Sequence, residues 1–262
     1  MKRIILPKKN CGLRFEEALE RSPELKKHST SNGKGIDLGN TTALLLYNRL
    51  ILQEFLGLDF SLPVGFLIPT ICSRWEFLKW CLKDIDKTDQ ARKILEIGTG
   101  ASAILALMLA KIGYKVEATE TNEEAYKSAQ INAELNNLST QIRLFKADKN
   151  IIKGLFFNLN KFEAIITNPP QYDINYYEGS KRSKKGFTGK KSELVGGKLG
   201  YEFIVQLLIE VKEFKDHPPI FFQLISLKLS SKITEFLENN GFDFIKQENE
   251  IGTRKRVYYK VI

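Results

Sequence analysis

Three cysteines and two histidines are all that 262 residues offer to a soft metal. Cys11, Cys72 and Cys81 form no Cys-x-x-Cys pair, and His28 and His217 lie far apart, so no zinc site is expected. An odd cysteine count with no secretory signal implies reduced, intracellular thiols. Met1–Asn10 is basic and lacks the apolar core of a signal peptide, and the longest apolar run, Ile104–Ala110, is too short to span a bilayer. A cytoplasmic protein without membrane association is therefore expected. Internal repeats and heptads are also missing, which argues against a solenoid or a coiled coil.

Acidic residues fall short of basic ones, 31 Asp and Glu against 40 Lys and Arg, for a net charge of +9. Such an excess favours a polyanionic partner, because clustered cations release counterions from phosphate backbones. A generally basic proteome would give the same total, so the position of the charge matters more. At 43% hydrophobic the chain can bury one substantial core with an appended part, but hardly two large domains.

Along the chain, residues 1–40 are polar and charged, with Ser29–Gly35 reading as a connector and a short helix around Phe15–Leu25. Helical spacing follows over Thr41–Phe55 and again over Ser73–Ile85, either side of an extended Val64–Ile68 bracketed by Pro63 and Pro69. Residues 1–90 are thus expected to form an N-terminal extension that becomes helical. From residue 91 the pattern alternates. Strands are expected at Lys93–Ile97, Lys115–Glu120, Gln141–Ala147, Phe162–Thr167 and Ile220–Ile225, with helices at Ala101–Ile112, Glu123–Asn136, Leu199–Phe214 and Ser230–Asn239. Phe242–Gln247 and Arg254–Val261 close the chain as strands with no room for a helix between them, so they should pair antiparallel. The fold class expected is α/β: a mostly parallel, Rossmann-like sheet with helices on both faces and an antiparallel final strand.

Two motifs carry chemistry. Ile94–Ser102 runs from a buried strand through Gly98 and Gly100 into an apolar helix, which lets the backbone turn tightly and approach a ligand. The third glycine of the usual pattern is Ser102 here. Glu120 ends the next strand about twenty residues on, placed for ribose hydroxyls. This pair alone leaves a nicotinamide dinucleotide and S-adenosylmethionine both open. Glu96 makes the Glu-x-Gly-x-Gly form, which resembles the first motif of class I methyltransferases, and Asp148 after the third strand stands where such enzymes commonly meet the adenine amino group; the resemblance tilts the choice to the methyl donor, although Asp148 could equally be a loop or capping acid.

The second motif is Asn168-Pro169-Pro170 at the end of the fourth strand. The asparagine oxygen and the next carbonyl can both accept from one exocyclic NH2, aiming the nitrogen lone pair, and the prolines hold the turn rigid. No strong base is needed, because the amine sheds its proton after methyl transfer.

Leu67-Ile68-Pro69-Thr70 with Arg74, then Glu96-Ile97-Gly98-Thr99-Gly100-Ala101-Ser102, Ala118-Thr119-Glu120 and Asn168-Pro169-Pro170 follow one another in order. Ile36-Asp37-Leu38, Gly57-Leu58-Asp59, Glu193-Leu194-Val195-Gly196-Gly197 and Gly252-Thr253-Arg254-Lys255-Arg256 add to the set. The combination, over roughly residues 36–262, resembles the family of the ribosomal RNA adenine-N6 methyltransferase RlmF and methyltransferase-like protein 16. The resemblance implies a class I methyltransferase domain over 91–262 with S-adenosyl-L-methionine as cofactor. It places Arg74 on the cofactor carboxylate and Glu96, Gly98, Thr99, Gly100, Ser102, Glu120 and Asp148 around the rest of the cofactor. Asn168, Pro169 and Pro170 become the catalytic turn. Where that family has an aromatic residue after the prolines this chain has Gln171, so Tyr172 or Phe187 would have to stack on the acceptor base.

Asp173–Gly200 shows little periodicity and carries Lys181, Arg182, Lys184, Lys185, Lys190, Lys191 and Lys198 among Tyr176, Tyr177 and Phe187. Loops this long are usually functional or disordered, and cations mixed with aromatics suit a nucleic-acid clamp. Gln171, Lys184, Lys185, Phe187, Lys190, Lys191, Arg254 and Arg256 are the expected substrate contacts, with Lys8, Lys9, Arg14, Lys26 and Lys27 widening the surface. The reading is an RNA methyltransferase acting as a monomer on an adenine 6-amino group, in ribosomal RNA by family analogy. A guanine 2-amino group or a protein glutamine amide presents a similar planar NH2. A non-enzymatic RNA-binding protein would be expected to have lost the donor loop or Asn168, and neither is lost.

Overall fold

The computed structural model describes residues 11–85, 93–148, 150–179, 189–251 and 254–262. Seven strands form one sheet: β1 (Lys93–Ile97), β2 (Lys115–Glu120), β3 (Ile142–Lys146), β4 (Phe162–Thr167), β5 (Ile220–Leu224), β6 (Phe244–Ile251) and β7 (Arg254–Val261), in the order β3-β2-β1-β4-β5-β7-β6. The first five are parallel. The β7 strand runs antiparallel to both β5 and β6, as the short connection between the last two strands requires. Strand order reverses at β1, with β2 on one side and β4 on the other. A crevice at that switch point, at the carboxyl ends of the strands, is where open α/β sheets bind ligands.

The parallel strands are buried runs rather than alternating ones, because both faces are covered. On one face α3 (Thr41–Leu56), α4 (Ile71–Cys81) and α5 (Ile104–Ile112) share a core with Ile94, Ile166 and Phe221, and α6 (Glu123–Leu135) adds Ala129 and Ala133. On the other face α9 (Glu202–Lys212) and α10 (Leu227–Asn239) pack on Leu95, Ile165 and Phe222. The helical lead-in therefore does not stand apart from the sheet; it supplies one of its covering layers.

Its attachment is specific. Trp80 of α4 meets Phe221 edge-on at 5.6 Å and Tyr258 at 5.4 Å, and its Nε1 donates to Gln247 Oε1 at 2.7 Å. Asn48 of α3, buried, accepts from the first amide of α4, Ile71 N, at 3.2 Å. These contacts fix the direction of α4 and with it the side chain of Arg74. Ahead of α3 lie α1 (Phe15–Arg21) and α2 (Pro23–Lys26), two short helices where one is expected from the sequence, because Pro23 cannot continue the first.

The α5 helix begins at Ile104, three residues later than the expected start at Ala101, and α10 begins three residues earlier than expected, capped by the Ser226 side chain. Asp173–Gly200 is more structured than its irregular pattern implies: α7 (Ile174–Gly179) and α8 (Lys191–Leu194) lie within it. No helix among the described residues is long and apolar enough to cross a membrane.

Candidate active site

The turn from β1 to α5 is built from left-handed residues. Gly98 and Gly100 have φ of 70° and 68°, and Ala103, the residue before α5, has φ of 50°. A side chain in that region is strained, and such strain collects at functional sites. The loop is tied from several sides. Thr99 N donates to Thr119 O at 2.9 Å, Gly100 N donates to Glu120 Oε2 at 2.9 Å, and the Thr99 hydroxyl donates to Glu96 Oε2 at 2.8 Å. Asn132 of α6, fully buried, donates to Ala101 O and Ser61 O, both at 2.9 Å, locking the loop exit to the proline-rich turn.

A cavity of about 270 Å³ opens above this loop. All eight expected cofactor residues line it: Arg74, Glu96, Gly98, Thr99, Gly100, Ser102, Glu120 and Asp148. Glu120 accepts from Gly100 N and from Asn122 N at 2.8 Å, one bond to each oxygen, so each keeps a lone pair for a ligand hydroxyl. Burial lowers the Arg74 guanidinium to about 10, with Arg256 nearby adding to the effect, and Arg74 stays cationic at neutral pH. No side-chain hydrogen bond or ion pair occupies it among the described residues. Burial raises Glu96 to about 7, against the opposing pull of the Thr99 hydroxyl.

The cavity also takes in Leu67 and Glu193 of the ordered motif set, and Phe203 and Gln206, which no motif marks. Glu193 of α8 accepts from Leu67 N at 2.8 Å and from Lys190 N at 3.0 Å, joining the proline-rich turn to the far loop. Burial raises its pKa above the usual carboxylate range, with the Glu120 charge adding to it.

Asn168 and Pro170 line the same cavity. The turn they belong to is clamped from outside. Gln171 N and Tyr172 N both donate to Leu194 O, at 2.9 and 2.8 Å, and Gly196 N donates to Tyr172 O at 3.1 Å. A Cβ on Gly196 would lie 2.4 Å from Pro170 O and from Gly200 O, which accounts for the bare glycine there. Asn168 Oδ1 accepts from Gln223 Nε2 at 2.7 Å. Gln223 is the one polar side chain in β5, whose other residues are apolar and buried, and that oddity is the signal the sequence offers for it.

The expected substrate contacts that the structure describes make contacts of their own within the fold. Gln171 points to β5 and is fully engaged there: its Nε2 donates to Gln223 O at 2.9 Å and its Oε1 accepts from Ile225 N at 2.7 Å. Each end of the amide thus makes one bond to main chain. Tyr172, half-buried, stacks on the exposed Tyr176 at 5.6 Å just outside the cavity lining. Lys190 pairs with Glu124 and lies 3.9 Å over the Phe66 ring, while Lys191 pairs with Glu178 at 2.9 Å. Those two cations are therefore occupied within the fold. Arg254 is exposed on β7, and Arg256 is half-buried, with Nη1 donating to Lys255 O at 2.9 Å. Lys8, Lys9, Lys181, Arg182, Lys184, Lys185 and Phe187 lie outside the described residues.

A family described as RNA methyltransferase matches residues 10–258. The chain belongs to this RNA methyltransferase family. Within it, a Methanocaldococcus jannaschii protein that carries a methyltransferase name is 31% identical over 260 residues, covering 96% of this chain and 98% of that protein. The ribosomal RNA large subunit methyltransferase F of Escherichia fergusonii is 28% identical over 231 residues, 78% of this chain and 74% of its own. Among solved structures, the human METTL16 catalytic domain in complex with a MAT2A 3′UTR hairpin aligns at a TM-score of 0.84, covering 95% of this chain and 91% of that one at 22% identity. The N-terminal domain of human METTL16 in complex with SAH aligns at 0.75, covering 95% and 94%, also at 22% identity. At that identity the likeness is one of fold. The chain thus shares the Rossmann-like sheet of those structures, and its glycine loop and Asn168 turn sit at the switch point.

Proposed function

We propose that the chain transfers a methyl group from S-adenosyl-L-methionine to the 6-amino group of an adenine in ribosomal RNA. One observation carries the reading: Asn168 of the Asn-Pro-Pro turn lines the same cavity as Gly98, Gly100 and Glu120 of the donor loop. The name of the Escherichia fergusonii relative supports ribosomal RNA as the carrier, and the bound SAH and RNA hairpin of the human structures support the donor and the acceptor class.

The residues present fit the donor. Its carboxylate matches the unpaired Arg74 guanidinium, which can bind it bidentately. Its ribose hydroxyls match the two spare lone pairs of Glu120, and its adenine amino group matches Asp148. When bound, it supplies an electrophilic methyl group on a sulfonium. Asn168 Oδ1, with the lone pair that Gln223 leaves open, and the Pro169 carbonyl accept from the acceptor NH2 and hold the nitrogen in line. The carboxamide carries no charge and takes no proton; the amine proton goes to solvent after transfer.

Calorimetry with the methyl donor provides the test. The wild type should bind, Glu120→Ala and Arg74→Ala should bind at least about tenfold more weakly, and Asn168→Ala should bind normally yet fail to methylate, since it removes an interaction directed at the reacting nitrogen. Binding of NADH without binding of S-adenosylmethionine would overturn the reading.

A further inference from the structure

Gln223 is fully buried in a strand whose other members are Ile220, Phe221, Phe222 and Leu224. An amide in such a place is costly unless paired. The β4–β5 ladder ends at the pair Thr167 and Phe222, so Asn168 and Gln223 are the next two residues facing each other beyond it. There the side chains take over from the backbone, Gln223 Nε2 donating to Asn168 Oδ1 at 2.7 Å. Gln223 is itself held by Gln171, whose amide bonds the Gln223 carbonyl and the Ile225 amide. The catalytic turn, Gln171 and the end of β5 thereby form a closed ring of polar contacts.

The direction of the central bond matters. A carboxamide rotates nearly two-fold about its last torsion, and the two ends have opposite hydrogen-bonding character. Presenting its NH2 to an acceptor amine would set donor against donor. With the Gln223 NH2 facing Asn168, only the oxygen end of Asn168 can answer it, and that oxygen keeps a second lone pair. The reverse arrangement would leave both N–H donors of Gln223 without an acceptor, where now one of them is used and the atom with no partner is its Oε1. A bare buried carbonyl oxygen is the better tolerated of the two.

We propose that Gln223 is a positioning residue for methyl transfer: its buried amide fixes the Asn168 carboxamide with the oxygen available to the acceptor amine. This rests on the amine-methylation reading of Asn168.

The test is kinetic, with S-adenosylmethionine and unmodified large-subunit ribosomal RNA transcribed in vitro. Gln223→Leu should lower kcat at least about tenfold, with donor affinity within about twofold of wild type and the protein still unfolding cooperatively. Asn168→Asp removes the need for orientation, because both carboxylate oxygens accept. In that background Gln223→Leu should cost less than about threefold, whereas a merely structural role would cost the same in both backgrounds. Gln223→Glu should be slow when ionised and should recover relative to wild type as pH falls, because a protonated carboxyl can again donate to Asn168. An unchanged kcat in Gln223→Leu, or equal losses in the two backgrounds, overturns the proposal. If Gln223→Leu does not fold, the Gln223→Glu profile decides, and a flat ratio to wild type overturns it. A wild type that binds the donor but methylates no such transcript refutes the reading of Asn168 and this role with it. An active wild type indifferent to Gln223 refutes the role alone.

Discussion

Glu96 sits in β1 with 2% of its surface exposed, beneath the donor loop, and burial raises it to about 7. A carboxyl whose folded pKa is raised contributes stability that is present below its unfolded value, 4.5, and lost as pH rises through about 7. Unfolding by denaturant at pH 5 and pH 8 should therefore show Glu96→Gln gaining on wild type with rising pH, by up to about 3 kcal/mol given 1.36 kcal/mol per pKa unit. An identical pH dependence in both proteins would mean that Glu96 is not desolvated. Gly196 gives a second prediction of this kind, since a Cβ there would meet Pro170 O at 2.4 Å. Gly196→Ala should lose about 1–3 kcal/mol of stability, the usual cost of overpacking, and should slow methyl transfer by displacing the turn. Normal kinetics in that variant would show that the turn tolerates movement. Residues of this sort differ in how openly the sequence declares them. Gly98, Gly100, Glu120 and Asn168 are legible because a strand end dictates their residue types. Gln223 is visible only as a polar interruption of a buried strand, and nothing local says that it faces Asn168.

Among the elements, β1, β2, β4 and β7 fall at the bounds their residue patterns predict, because each is a short run set off by turn or helix residues. The errors come where tertiary contacts decide. The α5 helix starts late because the loop needs Gly98, Gly100 and Ala103 in left-handed conformations before a helix can begin. The α7 and α8 helices are too short to show a period, and α8 is held by Glu193, which accepts from Leu67 N and Lys190 N. Gln171 reads as a departure at the acceptor, yet it serves as a strap between the turn and β5. Replacing it with Leu should lower stability by about 1–3 kcal/mol through two lost hydrogen bonds, with donor affinity unchanged. Thermal unfolding together with donor calorimetry checks this, and weaker donor binding at unchanged stability would contradict it. With Gln171 turned away, the Tyr172 and Tyr176 stack is the aromatic surface nearest the turn along the chain. Stacking a base on a ring is worth roughly 1–3 kcal/mol, so Tyr172→Ala should reduce methylation about tenfold, and full activity would exclude it as the platform.

On the scale of the molecule, a basic sequence carries a cavity at the switch point of its sheet. Its RNA contacts should be phosphate-dominated, with log affinity falling linearly against log salt. Because Lys190 and Lys191 are already paired with Glu124 and Glu178, their replacement should change that slope less than replacement of the exposed Arg254, which should lower it by about one. Filter binding across a salt series separates the two, and equal slopes for all three variants would contradict the assignment. The central claim is that one cavity brings a methyl donor to an adenine amine held by Asn168. Mass spectrometry of nucleosides from unmodified large-subunit ribosomal RNA, incubated with protein and donor carrying a heavy-isotope methyl group, tests it most directly. Heavy N6-methyladenosine is expected with the wild type and none with Asn168→Ala; heavy label found only on guanosine, or equally with both proteins, would show that Asn168 does not hold an adenine amine for transfer.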